Sequence, residues 1–377
     1  MKRISTAALL LALVAPVLTL NPNSAFAQQP SNAPIRVVIV GLEHGHAGGL
    51  LSAIPDHKDV QLVGISESDT ALADRYANQF HLDKKLFFTD TDQMLDKVHP
   101  DAVLVYTAIS DHRKVIEIAA RHNLPSMVEK PLATTVADAL AIRRVAEEHH
   151  VQVLVNYETT WYPSNTEAYH EAEAGKLGAI RRVVVHDGHE GPKEIHVGPE
   201  FLKWLTDPEK NGAGAMFDFG CYGADLMTWL MHGETPISVT AVALTDKPDI
   251  YPKVDDDATI IVRYPKAQLV LQPSWNWPFA RKDMEVYGST GYAITVAADD
   301  LRVRYAGEKA EADIKAPPLT ENQQSSLDYL VGVLRGQIHP HGDLTSLDTN
   351  MIVVQILSAA RESVKTGRTI QLKPLPK

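Results

Sequence analysis

Apolar and polar residues alternate in blocks along the first half of the chain. Short apolar runs, such as residues 35–40 and 101–108, are separated by segments like residues 70–80, where apolar positions recur every three or four residues. Continuous apolar strands that alternate with amphipathic helices are typical of a parallel sheet covered on both faces. The pattern predicts an α/β domain over residues 34–155.

The pattern changes at about residue 156. Segments such as residues 237–244 and 258–265 follow one another with alternation or turn residues between them, which is typical of antiparallel strands. The last segments are helical and are free to pack on either half. The sequence therefore predicts a second, α+β domain over residues 156–377 with a large, mostly antiparallel sheet.

The first residues have the pattern of a secretory signal peptide. Lys2 and Arg3 precede the apolar run of residues 8–20, and Ala-Phe-Ala at residues 25–27 is a small-x-small cleavage site. The run is too short to span a bilayer, and without an Arg-Arg pair the general secretion route is favoured. We expect residues 1–27 to be a signal peptide cleaved near Ala27, and the mature protein to be exported to the periplasm.

Composition narrows the classes of partner. The formal net charge is −11 and no basic block is present, which argues against nucleic acid and anionic membrane partners. Cys221 is the only cysteine, so no internal disulfide forms and stability must come from a large core.

A glycine-bearing turn follows the first strand. It resembles the dinucleotide pattern G-x-G-x-x-G, but Glu43 and His46 stand at the second and third glycine positions. A turn without a ligand is an equal alternative on this evidence alone. Glu67 ends the next strand, where a carboxylate accepts bonds from a ribose 2′-hydroxyl and repels a 2′-phosphate, so NAD is favoured over NADP. The candidate cofactor residues of the turn are Gly41, Glu43, His44, Gly45 and His46.

Two later motifs carry a resemblance to a known family. The motif VEKPLA at residues 128–133 and the segment GAGAMFDFGCYGADLMTWL at residues 212–230 occur in the order found in the glucose–fructose oxidoreductase / inositol dehydrogenase (Gfo/Idh/MocA) family. The chain resembles this family over nearly all of its mature length. The resemblance implies an N-terminal Rossmann domain and a substrate domain that contributes a sheet, and an exposed sheet face would suit a homo-oligomer.

The resemblance also implies roles for individual residues. Lys130 would lie near the nicotinamide and stabilise an alkoxide-like transition state. Tyr222 would move the proton of the reacting hydroxyl, with a nearby lysine helping it act as a base at neutral pH, and Asp218 would support both. The alternatives are a surface lysine and a packed aromatic ring. The remaining predicted residues are Thr107, His112 and Glu129 for the cofactor, Tyr157, Trp161 and His189 for the substrate, and His186 as a further acid or base.

Residues 186–196 hold several His, Asp and Glu side chains. This density also suits a divalent ion, but the helical H-E-x-x-H pairing is absent and the resemblance implies no metal. A loop that holds sugar hydroxyls is the favoured interpretation, and no metal site is predicted.

The export signal bears on the reaction, because an exported enzyme has no pool of free NAD. The favoured hypothesis is an NAD-dependent oxidoreductase that acts on a hydroxyl of a sugar or glycoside, with a tightly held cofactor recycled within each cycle by sugar–sugar oxidoreduction. Two alternatives remain open. One is a redox-neutral glycoside hydrolase, lyase or epimerase that acts through a keto-sugar, and the other is a non-catalytic sugar-binding protein.

Overall fold

The computed structural model describes residues 33–376, so the predicted signal peptide and its cleavage site lie outside the described residues. The strands are β1 (Ile35–Val40), β2 (Val60–Ser66), β3 (Phe87–Phe88), β4 (Ala102–Val105), β5 (Ser126–Glu129), β6 (Val153–Asn156), β7 (Ile180–Gly188), β8 (Ser238–Leu244), β9 (Asp257–Arg263), β10 (Gln268–Ser274), β11 (Arg281–Gly288), β12 (Gly291–Thr295), β13 (Asp300–Tyr305), β14 (Ala312–Lys315) and β15 (Ile370–Gln371). The helices are α1 (Ala47–Ala53), α2 (Thr70–Gln79), α3 (Thr91–Val98), α4 (His112–Arg121), α5 (Val136–His149), α6 (Pro163–Glu173), α7 (Pro199–Leu205), α8 (Pro208–Asn211), α9 (Ala215–Asp218), α10 (Gly220–Leu230), α11 (Ser326–Leu334) and α12 (Leu347–Thr366).

The first sheet has six strands in the order β3-β2-β1-β4-β5-β6, and every strand pair in it is parallel. Strands β4 and β5 are buried along their whole length, as expected for strands with helices on both faces. The parallel sheet predicted from the apolar runs is confirmed. The carboxyl ends of β1, β2 and β4 lie side by side, which places the glycine turn at the edge where ligands of such sheets bind.

The second sheet has nine strands in the order β14-β13-β12-β11-β7-β10-β9-β8-β15. Its strand pairs are antiparallel except for β7 and β10, so the mostly antiparallel sheet is also confirmed. Helix α10 packs tightly on one face, because a Cβ atom at Gly223 would lie 2.8 Å from the Val185 Cβ atom. We call this face, which carries Val183 and Val185, the inner face of the sheet.

The last two helices pack in different places. Leu327 and Leu330 of α11 belong to the core that contains Ile39 of the first sheet. Val353 and Ile356 of α12 belong to a core that residues of both sheets share, such as Val103 and Val185. Of the packing that the sequence left open, α11 therefore lies on the first half and α12 contributes to the core of both halves.

Three short helices lie between the second-sheet strand β7 and helix α10. They are α7, α8 and α9. Pro199 and Pro208 begin the first two, a position at which the missing N–H costs nothing. Among residues 33–376, no helix combines the length and apolar character needed to cross a membrane.

Candidate active site

The turn after β1 requires glycine at its first position. Gly41 has a φ of +83°, and a Cβ atom there would lie 2.6 Å from the Thr107 Cγ2 atom. The left-handed backbone and the approach of the loop after β4 both disfavour any larger residue. Gly41 and Thr107 therefore meet at the carboxyl edge of the first sheet.

Glu43 turns its carboxylate toward the neighbouring loop. Its Oε1 atom accepts a hydrogen bond of 3.0 Å from the backbone N–H of Ala108, and its backbone carbonyl accepts one from the indole N–H of Trp204. These bonds hold the turn in shape without a second glycine. The negative charge nevertheless stays at the cleft, which Glu43 lines.

His44 and His46 connect the turn to the residue before Lys130. The His46 Nδ1 atom lies 3.0 Å from Glu129 Oε2, and the backbone N–H of His46 donates to His44 Nδ1. Burial lowers the pKa of His44 well below its usual range, so this ring is neutral. His46, which stands at the third glycine position, is thus part of a hydrogen-bond network.

Helix α7 covers the turn. The His44 ring centroid lies 4.8 Å from that of Phe201, and a Cβ atom at Gly45 would lie 2.9 Å from the Phe201 ring. Glu200 of the same helix forms a 2.7 Å ion pair with Arg75 of α2. Gly45 therefore makes room for Phe201, a role that the sequence did not indicate.

A cleft of about 800 Å³ opens beside the turn. Glu67 lies at its wall, 8% exposed, and accepts hydrogen bonds of 2.8 Å from the backbone N–H groups of Leu42 and Asp69. Burial raises the pKa of Glu67. The volume is typical of a ligand site, and the glycine turn together with a carboxyl group at the end of β2 fits a dinucleotide.

Glu129 lies at the centre of a buried polar network. Its Oε1 atom accepts from the Asn156 amide at 2.8 Å, and Asn156 Oδ1 accepts from the Trp161 indole N–H at 2.9 Å. Burial opposes the charge of Glu129, but His46 and the other partners outweigh it and hold its pKa at about 2. The Trp161 ring packs 5.7 Å from Tyr329 and lines a separate pocket, so the structure does not bring the predicted sugar-stacking residue to Tyr222.

Two further predicted residues are fully buried. The His112 Nδ1 atom lies 3.2 Å from the Leu132 carbonyl oxygen, and burial lowers its pKa to about 4. The Tyr157 hydroxyl donates to Asn350 Oδ1 of α12, while its ring lies edge-on 5.5 Å from Tyr222. Tyr157 therefore supports the Tyr222 ring, and its hydroxyl already has a partner within the protein.

Lys130 and Asp218 form a buried ion pair. The Lys130 ammonium donates to Asp218 Oδ1 at 2.5 Å and to its backbone carbonyl at 2.7 Å, and the Trp275 indole N–H donates to Asp218 Oδ2 at 3.0 Å. Burial opposes both charges, but each partner outweighs it, so the pKa of Lys130 is raised and that of Asp218 is lowered. The two motifs of the resemblance thus meet in space.

Tyr222 lies between two lysines. Its ring centroid is 4.9 Å from the Lys130 ammonium and 5.1 Å from that of Lys282 on β11. From the sequence, a nearby lysine is expected to help Tyr222 act as a base at neutral pH, and the structure does not favour this. Burial raises the pKa of Tyr222 well above its usual range, and the charge of Lys130 is already paired with Asp218. The hydroxyl is therefore protonated and suited to donate a proton.

Beyond Lys130, the site holds a second group of charged residues, which the sequence revealed only in part. Lys282 bonds to Glu158, which in turn accepts from the Tyr162 hydroxyl. Asp187 of β7 is the register partner of Lys282 and is 2% exposed. Asp187 belongs to the segment 186–196 that the sequence favoured for holding sugar hydroxyls, whereas no motif marks Lys282 or Glu158, and only the strand register shows that Asp187 and Lys282 share one face.

The two predicted histidines, His186 within β7 and His189 directly after it, lie in different places. The His189 ring packs edge-on 5.0 Å from Phe219, next to Tyr222, and burial lowers its pKa. His186 points to the opposite face of the sheet from Val185 and bonds to Asp283 at 2.9 Å. The structure therefore places His189 at the site and His186 away from it.

Two groups of described residues bring possible metal ligands together, namely His44, His46 and Glu129, and His186, Asp283 and Glu285. In the first group, His44 Nδ1 and His46 Nδ1 already have partners within the protein. The second group lies on the outer face of the sheet. It takes only His186 from the segment 186–196 that the sequence offered as a metal alternative, and its other two members lie on β11.

Comparison with known proteins gives the family. Residues 35–157 match the model of the oxidoreductase family with an NAD-binding Rossmann fold, and residues 166–294 match that of the GFO/IDH/MocA C-terminal domain. The chain is 25% identical over 225 residues to a trans-1,2-dihydrobenzene-1,2-diol dehydrogenase of Xenopus tropicalis, over 59% of this chain and 62% of that protein, less than two thirds of its length. It is 23% identical over 343 residues to a D-apiose dehydrogenase of Paraburkholderia graminis, over 86% of each chain.

Solved structures share the fold. An aldose-aldose oxidoreductase from Caulobacter crescentus superposes with a TM-score of 0.76 at 23% identity, over 90% of this chain and 100% of that one. An oxidoreductase from Agrobacterium radiobacter gives 0.75 at 20% identity, over 90% and 98%. With the two domain matches, this shows that the chain belongs to the Gfo/Idh/MocA oxidoreductase family.

Proposed function

We propose that the protein is an NAD-dependent oxidoreductase that acts on a carbohydrate hydroxyl and keeps its cofactor through each catalytic cycle. The observation that carries the proposal is the buried Lys130–Asp218 pair beside Tyr222, joined to the cofactor turn through Glu129 and His46. A dinucleotide in the cleft supplies hydride acceptance and donation. The acid–base groups of this chain supply the rest.

Each residue has a distinct role in this proposal. The Lys130 ammonium, fixed by Asp218, stabilises negative charge that develops on the reacting oxygen. The protonated Tyr222 hydroxyl hydrogen-bonds to that oxygen and donates a proton when a carbonyl group is reduced. Trp275 holds the second oxygen of Asp218 and so fixes the orientation of the pair.

The preference for NAD rests on Glu67. Its carboxyl group lies at the end of β2 and is fixed by two backbone N–H groups, a position where a 2′-phosphate meets an acidic neighbour. A relative that names the other cofactor also exists, since a D-xylose 1-dehydrogenase of Haloarcula marismortui carries NADP(+) in its name. The carbohydrate substrate is supported by the names of that relative and of the D-apiose dehydrogenase.

Retention of the cofactor is supported by helix α7. Phe201 and Trp204 lie over the turn, and the Glu200–Arg75 ion pair ties the helix to α2. A cofactor beneath this helix leaves only after these contacts open. The predicted export to the periplasm favours the same property, because no pool of free NAD exists there.

The first experiment is to purify the mature protein without added cofactor, denature it and identify released dinucleotide by mass and absorbance. The proposal expects about one NAD(H) per chain. Incubation with D-xylose alone is then expected to yield the lactone and the alditol in equal amounts, since one aldose loses the two hydrogens that the other gains. Protein that releases no dinucleotide and binds neither NAD nor NADP contradicts the proposal, and cleavage of a glycoside without net oxidation would replace the sugar–sugar reaction by the redox-neutral one.

A further inference from the structure

Asp187 points into the site from the second sheet. On β7 the buried residues Val183, Val185 and Asp187 alternate, so all three lie on the inner face, which helix α10 covers. Tyr222 belongs to α10. The Asp187 side chain therefore lies on the same side of the sheet as Tyr222, and it is only 2% exposed.

Both carboxyl oxygens of Asp187 lack a hydrogen-bond partner among the described residues. Its register partner Lys282 would be the natural counter-ion, but the Lys282 ammonium bonds to Glu158 instead. Buried polar groups are nearly always paired, and an unpaired one lowers stability. A local exception of this kind at the edge of a site is expected where a ligand supplies the missing partner.

The chemical state of Asp187 suits a hydroxyl partner. Burial raises the pKa of Asp187 well above its usual range, against the opposing charge of Lys282. A protonated carboxyl group offers one O–H donor and keeps an acceptor oxygen. A sugar hydroxyl, which is both donor and acceptor, matches this pair of groups.

The charges around the site are already balanced. Lys130 is paired with Asp218, and Lys282 is paired with Glu158. Burial lowers the pKa of His189, so this ring adds no charge near neutral pH. These groups leave no uncompensated cation for the carboxylate or phosphate of an anionic sugar.

We propose that Asp187 binds a second hydroxyl group of a neutral sugar, while Lys130 and Tyr222 bind the reacting one. The Lys130 ammonium lies 4.9 Å from the Tyr222 ring centroid, and that of Lys282, the register partner of Asp187, lies 5.1 Å from it, so both binding positions border the same ring. The inference rests on the proposed function and adds a specificity residue and a charge class of substrate. Asp187 positions the substrate and takes no part in hydride or proton transfer.

The test compares Asp187→Asn, which keeps hydrogen-bonding groups, with Asp187→Leu, which keeps the branched shape and removes them. For D-glucose or D-xylose, we expect Asp187→Leu to raise KM about ten-fold or more, the equivalent of one lost hydrogen bond, while kcat changes less. We expect Asp187→Asn to keep KM within about three-fold of wild type. Asp283→Asn, on the outer face of the neighbouring strand, is the matched control and leaves both constants unchanged.

A melting curve separates a binding role from a structural one. Since Asp187 has no partner within the described residues, both variants are expected to melt at or above the wild-type temperature. A fall in melting temperature together with equal losses in kcat and in affinity would mean a structural role. Wild-type KM in the Leu variant, or binding of D-glucuronate as tight as that of D-glucose, overturns the inference.

The two proposals fail in different ways. Binding of D-glucose, D-xylose and D-glucuronate is followed by tryptophan fluorescence without turnover, because the Trp275 indole bonds to Asp218 inside the site. Wild-type protein without dinucleotide that still binds neutral sugars through Asp187 would refute the redox function and leave this inference standing. Wild-type protein that binds neither neutral sugar refutes the inference, even if it holds NAD.

Discussion

Replacing Lys130 with methionine removes the cation that neutralises Asp218 and keeps most of the apolar stem. The two side chains are only 5% and 6% exposed, so the carboxylate left behind is buried, with the Trp275 indole N–H as its remaining side-chain donor. Removing one partner of a buried ion pair costs about 3–5 kcal/mol. We expect Lys130→Met to lose about that much free energy of unfolding at pH 7, and to lose turnover.

The loss of unfolding free energy in Lys130→Met depends on pH. In the wild type the pKa of Asp218 is lowered, so its contribution to stability is present above the usual aspartate pKa of about 3.9 and is lost as the pH falls through the lowered value. In the variant, burial acts without Lys130 and raises that pKa, so the variant regains stability when Asp218 takes up a proton. The difference between the two proteins therefore narrows as the pH falls from 8 toward about 4.

The assay is urea unfolding of both proteins at several pH values, followed by tryptophan fluorescence. The double variant Lys130→Met/Asp218→Asn removes the stranded charge and should recover much of the stability while turnover stays lost. A deficit below about 1 kcal/mol, the size of a surface pair, would refute the reasoning. A deficit that stays constant with pH would refute it as well.

Three further predictions concern the turn and Tyr222. Tyr222→Phe removes the hydroxyl and keeps the ring that packs edge-on against Tyr157, so kcat should fall by about 10²–10⁴-fold at an unchanged melting temperature. Unchanged kcat would exclude a role in proton transfer. Glu43→Gln keeps an acceptor for the Ala108 N–H and removes a negative charge from the cleft, so titration calorimetry should show tighter NAD binding. Weaker binding would contradict the view that the Glu43 charge repels the pyrophosphate. Trp204→Phe keeps an aromatic ring but loses the indole N–H bond to the Glu43 carbonyl, so bound NAD should exchange faster with labelled NAD. An exchange rate equal to that of the wild type would argue against retention of the cofactor by α7.

The sheets could be predicted from the sequence because their strands are either buried runs or alternating segments. Strands β1 and β4 are almost wholly buried, and a continuous apolar run is the pattern that such burial requires. Helix α7 could not be predicted in the same way. It has seven residues and is held by tertiary contacts, such as the Trp204 bond to the turn, rather than by a periodic pattern.

The residues of the site also divide into those that a sequence motif predicts and those that only tertiary packing places. Lys130, Asp218 and Tyr222 stand in motifs, and the structure brings them together. From the sequence, His186 and not Asp187 is predicted as an acid or base of the site. The three consecutive valines from Val183 to Val185 do not show which side of the strand faces inward. A shift of one residue exchanges the two faces, and only the pairing with β11 and the packing of α10 decide it.

The altered glycine turn gains a physical explanation from its partners. Glu43 and His46 do more than occupy glycine positions, because Glu43 bonds to the loop after β4 and His46 bonds to Glu129, the residue before Lys130. Hydrogen bonds of this kind replace conformational freedom with fixed contacts, so the turn is held by the same network that positions Lys130. In an enzyme that keeps its cofactor through repeated cycles, a rigid turn beneath α7 serves retention, whereas an open glycine turn would serve exchange.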